Sequence, residues 1–421
     1  MKETAPITKF TGYQKFVIAI LALLQFTVIL DFMIISPLGD ILMKKLDMST
    51  ANFGLVVSAY AFSAGASGLM AAGFADKYDR KKLLLFFYAG FIAGTLFCAL
   101  SNGYIMLLIA RIVTGFFGGV IGSISLAIIA DLFEVNQRGR VMGFVQMAFA
   151  TSQILGIPIG IFFANQWGWH SAFLMVVVFA SLIFVAVFFK LHPVDAHLKV
   201  ENKKNPLLHL WHTLQKKEYR IGFGTVALLS VGGFMLQPFG SAFLVNNIGI
   251  SQHDLPIVFF CTGISVLFIM PIVGKLSDKI NKMTLFTVGS LISVTMILIY
   301  TNLSVSPLWE IIVINMVLFM GIMSRIVPSQ ALNTAIPDMQ DRGAYMAVTS
   351  SMQQIAGGIA AVIAGYIVYQ PTKTSPLENY PTLGIVIAST TLLTIFLMRR
   401  VAKIANAKIA AHKADPIEKP E

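Results

Sequence analysis

Roughly twelve runs of about twenty apolar residues follow one another along this chain, each the length a helix needs to cross a bilayer core. They fall at 15–38, 51–72, 83–101, 104–132, 139–165, 170–190, 221–245, 252–275, 284–302, 307–334, 343–369 and 379–399. Hydrocarbon offers no partner to backbone N–H and C=O groups, so each run must pair its own, and helix is the conformation open to it. Several runs exceed the bilayer core, which predicts tilt or extension into water. Composition agrees: 56% of the 421 residues are hydrophobic and 12% charged, against about 25% charged in a soluble domain. The chain reads as an all-α polytopic membrane protein. Its first span is too long for a signal peptide and lacks a small-residue cleavage site, so it is expected to remain.

A net charge of +11 would suggest nucleic acid as the partner of a soluble chain. Here Lys and Arg gather in alternate connections, at 73–82, 136–140, 190–220, 275–282, 341–343 and beyond 399. That pattern sets topology and puts both termini and the long middle connection in the cytoplasm, with no nucleic acid required. The middle connection holds Pro193, Pro206 and one amphipathic piece, 207–214, suited to a membrane surface. The chain thus divides into a six-helix bundle at 1–190, a linker at 191–220, a second bundle at 221–403 and an exposed tail at 404–421. Cys98 and Cys261 lie inside apolar runs, which argues against a disulfide framework or a thiolate metal site. No His stands at metal-ligand spacing, so neither metal nor cofactor is expected. The chain has no G-x-x-x-x-G-K-[ST] loop for ATP and no His/Asp/Glu cluster at a membrane face. No catalytic residue is assigned, and an enzyme is not expected.

The two bundles resemble each other. Residues 72–82 read AGFADKYDRKK and residues 274–282 read GKLSDKINK, each between apolar runs. Asp76 and Asp278 are each followed by Lys, then by Arg80 or Lys282. Gln137-Arg138-Gly139 corresponds to Asp341-Arg342-Gly343, and Glu134 falls opposite Asp338. Loops that match at two positions of each half point to an internal duplication.

These features together resemble the major facilitator superfamily across essentially the whole membrane part. Asp76, Lys77, Arg80 and Lys81 fit its loop signature G-x-L-A-D-[RK]-x-G-[RK]-[RK], with the leading Gly displaced to Gly73 and Asp79 replacing the later Gly. Gly274, Leu276, Asp278, Lys279 and Lys282 supply the second copy. Arg111, Gly115 and Gly118 complete its R-x-x-x-G-x-x-G pattern. Gly156, Pro158 and Gly160 resemble a degenerate form of the exporters' fifth-helix motif G-P-x-x-G-G. Leu30-Asp31 with Ile34-Ile35 resembles the first-helix opening of drug:proton antiporters. The resemblance implies two pseudo-symmetric six-helix bundles that alternate access, usually as a monomer, in the inner membrane of a bacterium. It further implies export of a small amphiphilic or drug-like molecule against protons. The alternative is a uniporter or importer of a small metabolite (sugar, organic anion or lipid-like solute), without coupling at Asp31.

A carboxylate inside a span is costly and marks function by default. Helical rise puts Asp31 ~24 Å past Lys15 and Arg111 ~10 Å below the far end of its own helix, so their depths coincide. Burial favours a neutral carboxylate and a nearby guanidinium a charged one, so moving Arg111 relative to Asp31 would load and release a proton. A static salt bridge is the plainer alternative. Arg325, without an obvious acid in its half, is expected to line a cavity or to bond backbone freed near Pro328. Gln25, Gln146, Gln153, Gln237, Gln353 and Gln354 are further candidate linings. Asp76, Arg80, Lys81, Asp131, Glu134, Asp278 and Lys282 are expected to form a cytoplasmic latch, with Arg80 on Asp131 or Glu134. Gly115, Gly118, Gly156 and Gly160 are expected to let helices approach, and Pro158 to break its helix locally.

Overall fold

A computed structural model describes residues 10–74, 77–195, 198, 206–338 and 341–414. Among them twelve helices are long and apolar enough to cross a membrane: α1 Gly12–Ile34, α2 Thr50–Ala71, α3 Arg80–Ala99, α4 Tyr104–Leu132, α5 Gln137–Trp167, α6 His170–Lys190, α7 Lys217–Ile248, α8 Leu255–Ser277, α9 Lys282–Thr301, α10 Leu308–Asn333, α11 Arg342–Ile367 and α12 Tyr380–Lys408. Apart from one antiparallel bridge, Tyr369 with Glu378, the described residues contain no strand pairing. Short helices at Gly39–Lys45 and Pro206–Gln215 complete the set. Short connections make neighbouring helices antiparallel, so one end of the bundle carries the linker and the opposite, far end carries the Gly39–Lys45 helix.

Local chemistry starts the helices where the charge pattern changes. Thr11 and Gln14 form a capping box at α1, the Thr11 hydroxyl accepting from Gln14 N at 3.1 Å. Asp79 caps α3 by accepting from Lys81 N at 2.9 Å, and Asn281 caps α9 by accepting from Met283 N at 2.8 Å. Asp79 is where the loop signature departs from Gly, and the capping role accounts for that departure. The internal duplication therefore extends to the caps of the third helix of each half.

Two spans are interrupted. In α5 a π-helical turn covers Ser152–Gly156 just before Pro158, and in α7 a 3₁₀ turn covers Gln237–Phe239 around Pro238. Proline has no N–H for the ladder and crowds the preceding turn, so the helix adjusts there. The seventh span begins at Lys217, inside the segment assigned to the linker. The tail assigned to 404–421 is helical through Ala414, where α12 continues.

The halves meet through symmetry-related pairs, α2 against α11 and α5 against α8. Backbones touch where side chains are absent: a Cβ at Gly54 would stand 2.7 Å from the Ala361 carbonyl oxygen. Thr50 Oγ1 donates to Val368 O at 2.6 Å and Ser241 Oγ to Ser36 O at 3.0 Å, both across the halves at the far end. Asp40, 1% exposed, binds Lys44 at 2.8 Å, Asn246 Nδ2 at 2.6 Å and Gln252 Nε2. Lys44 and Asn246 come from opposite halves, so this cluster closes the far end.

At the linker end a second cluster replaces the expected surface helix with a docked one. Helix Pro206–Gln215 packs on α11, α7 and α2, burying Leu210 beside Tyr219 and Tyr345. His209 Nε2 lies 2.9 Å from Asp341 Oδ1, Lys216 reaches both Asp338 and Asp341, and Lys408 of α12 binds Asp338 at 2.8 Å. The Lys408 contact and those of Tyr219 and Lys216 hold Asp338 below the usual carboxylate range against partial desolvation. Burial opposes ionisation of Asp341, but Lys216, His209 and Tyr219 together outweigh it and hold that carboxyl far below its usual range.

Candidate functional site

Asp31 sits in the last turn of α1 and Arg111 two turns into α4, which runs the other way, so both lie near the far end. Arg111 Nη1 donates to Asp31 Oδ2 at 2.9 Å and to the Asp31 carbonyl at 3.3 Å. Thr95 of α3 donates to Asp31 Oδ1 at 3.1 Å. Both charged side chains are 0% exposed. Opposite charge and short hydrogen bonds offset the desolvation that either group would suffer alone.

The guanidinium is under-supplied with acceptors. Among the described residues Arg111 Nε and Nη2 have no hydrogen-bond partner. Instead the guanidinium lies over the Tyr60 ring of α2, 4.4 Å from its centroid. The glycine pattern makes room for that ring. A Cβ at Gly115 would stand 2.5 Å from the Tyr60 carbonyl oxygen, and one at Gly118 2.7 Å from the Tyr60 hydroxyl. Arg111, Gly115 and Gly118 thus work as a unit: one supplies the cation and two open the slot for its aromatic floor.

The fifth-helix pattern acts on the other side of the pair. A Cβ at Gly156 would stand 2.7 Å from the Leu30 side chain, and one at Gly160 2.4 Å from Ile34. Ser152, in the π turn before Pro158, donates to Phe26 O at 3.1 Å. These contacts hold α5 against the stretch of α1 that carries Asp31.

The other expected residues are dispersed. Arg325 is 5% exposed and its Nη1 donates to Thr391 Oγ1 of α12 at 3.2 Å, while its Cζ lies 6.0 Å from the Phe286 ring of α9. It is therefore packed within the second half, bonded to a hydroxyl and not to backbone freed near Pro328. Gln25 lies against α4 at Gly122. Gln153 and Gln237 are half-buried in the irregular turns of α5 and α7, and Gln146 and Gln353 are exposed. Gln354 faces Gly65 across the halves with its Oε1 unpartnered among the described residues.

Arg80 Nε lies 3.2 Å from Asp131 Oδ2, and Lys81 Nζ donates to Phe188 O at 2.9 Å. These contacts join helices of the first half to one another. Lys282 Nζ donates to Ser277 O at 3.1 Å, Glu134 is exposed, and Asp76 and the Asp278 side chain lie outside the described residues. Sequence reasoning missed the clusters around Asp40 and Asp341. A signal existed for each: Asp40 stands one turn before Lys44, and Asp338 and Asp341 occupy the duplicated loop. Their distant partners, Asn246, Gln252 and Lys408, carried none.

The family model described as Major Facilitator Superfamily matches residues 21–361 and 223–416. An uncharacterized MFS-type transporter of Bacillus subtilis, YbcL, is 24% identical over 380 residues, covering 90% of this chain and 95% of the relative. A probable sugar efflux transporter of Helicobacter pylori is 25% identical over 275 residues, 65% of this chain and 68% of that one. The putative transporter AraJ of Escherichia coli is 22% identical over 257 residues, 61% of this chain and 64% of that protein. Among solved structures, a bacterial homologue of the human lysosomal transporter Spinster superposes with a TM-score of 0.72 at 16% identity, covering 98% of this chain and 100% of the other. The nucleoside transporter NupG gives 0.70 at 14% identity, covering 92% and 99%.

Proposed function

The chain belongs to the major facilitator superfamily and is a secondary transporter of a small molecule, and from that premise we propose that it is a proton-coupled antiporter. In this reading it exports a small amphiphilic or drug-like molecule by alternating access, as a monomer in the inner membrane of a bacterium. The linker end, with both termini, faces the cytoplasm, as the distribution of Lys and Arg supports. The observation that carries the reading is the Asp31–Arg111 pair, dry at 0% exposure of both side chains. Asp31 is the titrating member, because a guanidinium keeps its proton. Opening of the halves would admit water to the pair, loosen it and let Asp31 take a proton from one side, and closure would expel that proton to the other.

The name of the Helicobacter relative favours export as the direction and places sugars beside amphiphiles among the cargoes to test. The test uses energised everted vesicles with a pH-sensitive dye. Amphiphilic drugs, sugars and organic anions are added in turn, with Asp31→Asn beside the native chain. Antiport predicts that one class collapses the gradient in the native protein and not in the variant. A cargo carried equally by both, with the gradient untouched, would leave a uniporter or importer of a small metabolite as the function.

A further inference from the structure

The first half encloses the Asp31–Arg111 pair on most sides with its own side chains. Thr95 and Cys98 of α3 are 0% exposed and Tyr60 of α2 is 2% exposed. The side that looks toward the second half is covered differently. Phe32, next to Asp31 in the chain, stands 5.2 Å from the Tyr60 ring, and the Phe234 ring of α7 stands 5.6 Å from Phe32. Phe32 and Phe234 are only half-buried, so they carry the exposure that the pair and its floor do not. The second half holds Phe234 in place tightly: a Cβ at Gly357 of α11 would stand 2.5 Å from that ring. The 3₁₀ turn of α7 begins three residues later, at Gln237, so the ring is borne beside an irregular joint.

We propose that Phe234 is a positioning residue: with Phe32 it forms a lid that the second half closes over the ion pair of the first. The physical reason lies in where the contact falls. Aromatic rings packed at a tilt, 40° and 44° between planes, exclude water over an area that no polar group of the pair spans, and a dry pair is held more strongly than a wetted one. Phe32 and Phe234 belong to different halves, so relative motion of the halves at this level pulls them apart. Phe32 then loses its outer neighbour, Tyr60 loses part of its cover, and water gains a path to Arg111 and Asp31. Proton access to Asp31 is thereby tied to the position of a residue that touches neither charge. Its consequence in transport rests on the antiport reading above; the exclusion of water does not.

Cys98 is a built-in reporter, since its Sγ lies 3.6 Å from Thr114 Oγ1 on the helix face that also carries Thr95. In a Cys261→Ser background, with the full chain in nanodiscs open to both faces, Cys98 is labelled with a small water-soluble methanethiosulfonate. Phe234→Ala is expected to raise the labelling rate at least about tenfold by making local opening easier, and Phe234→Leu to bring it most of the way back. Phe62→Ala, which removes another inter-half ring packed on Gly358, is expected to leave the rate near native. An unchanged rate in Phe234→Ala, or an equal rise in Phe62→Ala, overturns the lid. In proteoliposomes under a pH gradient without cargo, Phe234→Ala is expected to leak protons, and adding Asp31→Asn to stop the leak. Faster labelling with no such leak keeps the lid and removes the antiport reading.

Discussion

Replacing Asp31 by Leu and Arg111 by Met, singly and together, tests whether the pair is balanced as its geometry requires. Both side chains are 0% exposed and meet at 2.9 Å. Removing one member leaves an uncompensated buried charge, which costs about 3–5 kcal/mol. The two single variants should differ. A stranded carboxylate can take up a proton, whereas a stranded guanidinium cannot lose one. Arg111 left alone keeps only the Asp31 backbone carbonyl at 3.3 Å and the Tyr60 ring at 4.4 Å. Asp31→Leu should therefore sit at the upper end of that range and Arg111→Met at the lower. The double variant removes both desolvation penalties and should lie near the native stability, so the coupling energy should approach the two single losses combined, about 8 kcal/mol. Reversible unfolding in mixed SDS micelles, followed by Trp fluorescence, measures all four corners of the cycle. Additivity within about 0.5 kcal/mol would refute the reasoning, because it would mean that neither charge depends on the other.

The glycine slot predicts position-dependent tolerance along α4. Gly115→Ala puts a methyl 2.2 Å from Ser63 Oγ and 2.5 Å from the Tyr60 carbonyl oxygen and should cost about 1–3 kcal/mol of overpacking, whereas Gly122→Ala, whose nearest neighbour is Gln25 Nε2 at 3.4 Å, should be close to neutral; thermal unfolding of both variants checks this. At the linker end, Asp338 and Asp341 have carboxyls held below their ordinary value of 3.8. A depressed carboxylate stabilises fully above that value and loses its contribution as pH falls through the lower, folded value. Docking of helix Pro206–Gln215 and of the α12 extension should therefore be constant from neutral pH down to about 5 and fail only below 4. Hydrogen exchange of those two segments against pH reads it, and release at pH 6 would contradict it.

Much of this molecule was legible because hydrocarbon removes alternatives. A run of apolar residues at the length of a bilayer must be helix, and alternate loops rich in Lys and Arg count the crossings. The duplicated loops divided the chain into halves, and in the structure Asp79 and Asn281 extend that correspondence to helix caps. Asp31 and Arg111 stood out because charge inside a span needs a reason, and counting residues along two opposed helices brought them to one depth. Arg325 stood out by the same rule, yet its direction did not follow, since depth along a helix says nothing of the face. Its contacts with Thr391 and Phe286 came from how α10 turns against α9 and α12.

Residue chemistry along the chain thus determined the helices, their number, the two halves and the depth of each charge, all of which depend on near neighbours and on the solvent around them. The tertiary structure decided which surfaces face one another. It set Tyr60 under Arg111 through two glycines on another helix, brought Asn246 to Asp40 and Lys408 to Asp338, and placed Phe234 over Phe32. The last three contacts join residues of unrelated sequence neighbourhoods. They exist because rigid helices, once paired at their closest faces, carry every other side chain to a place that no local preference specifies.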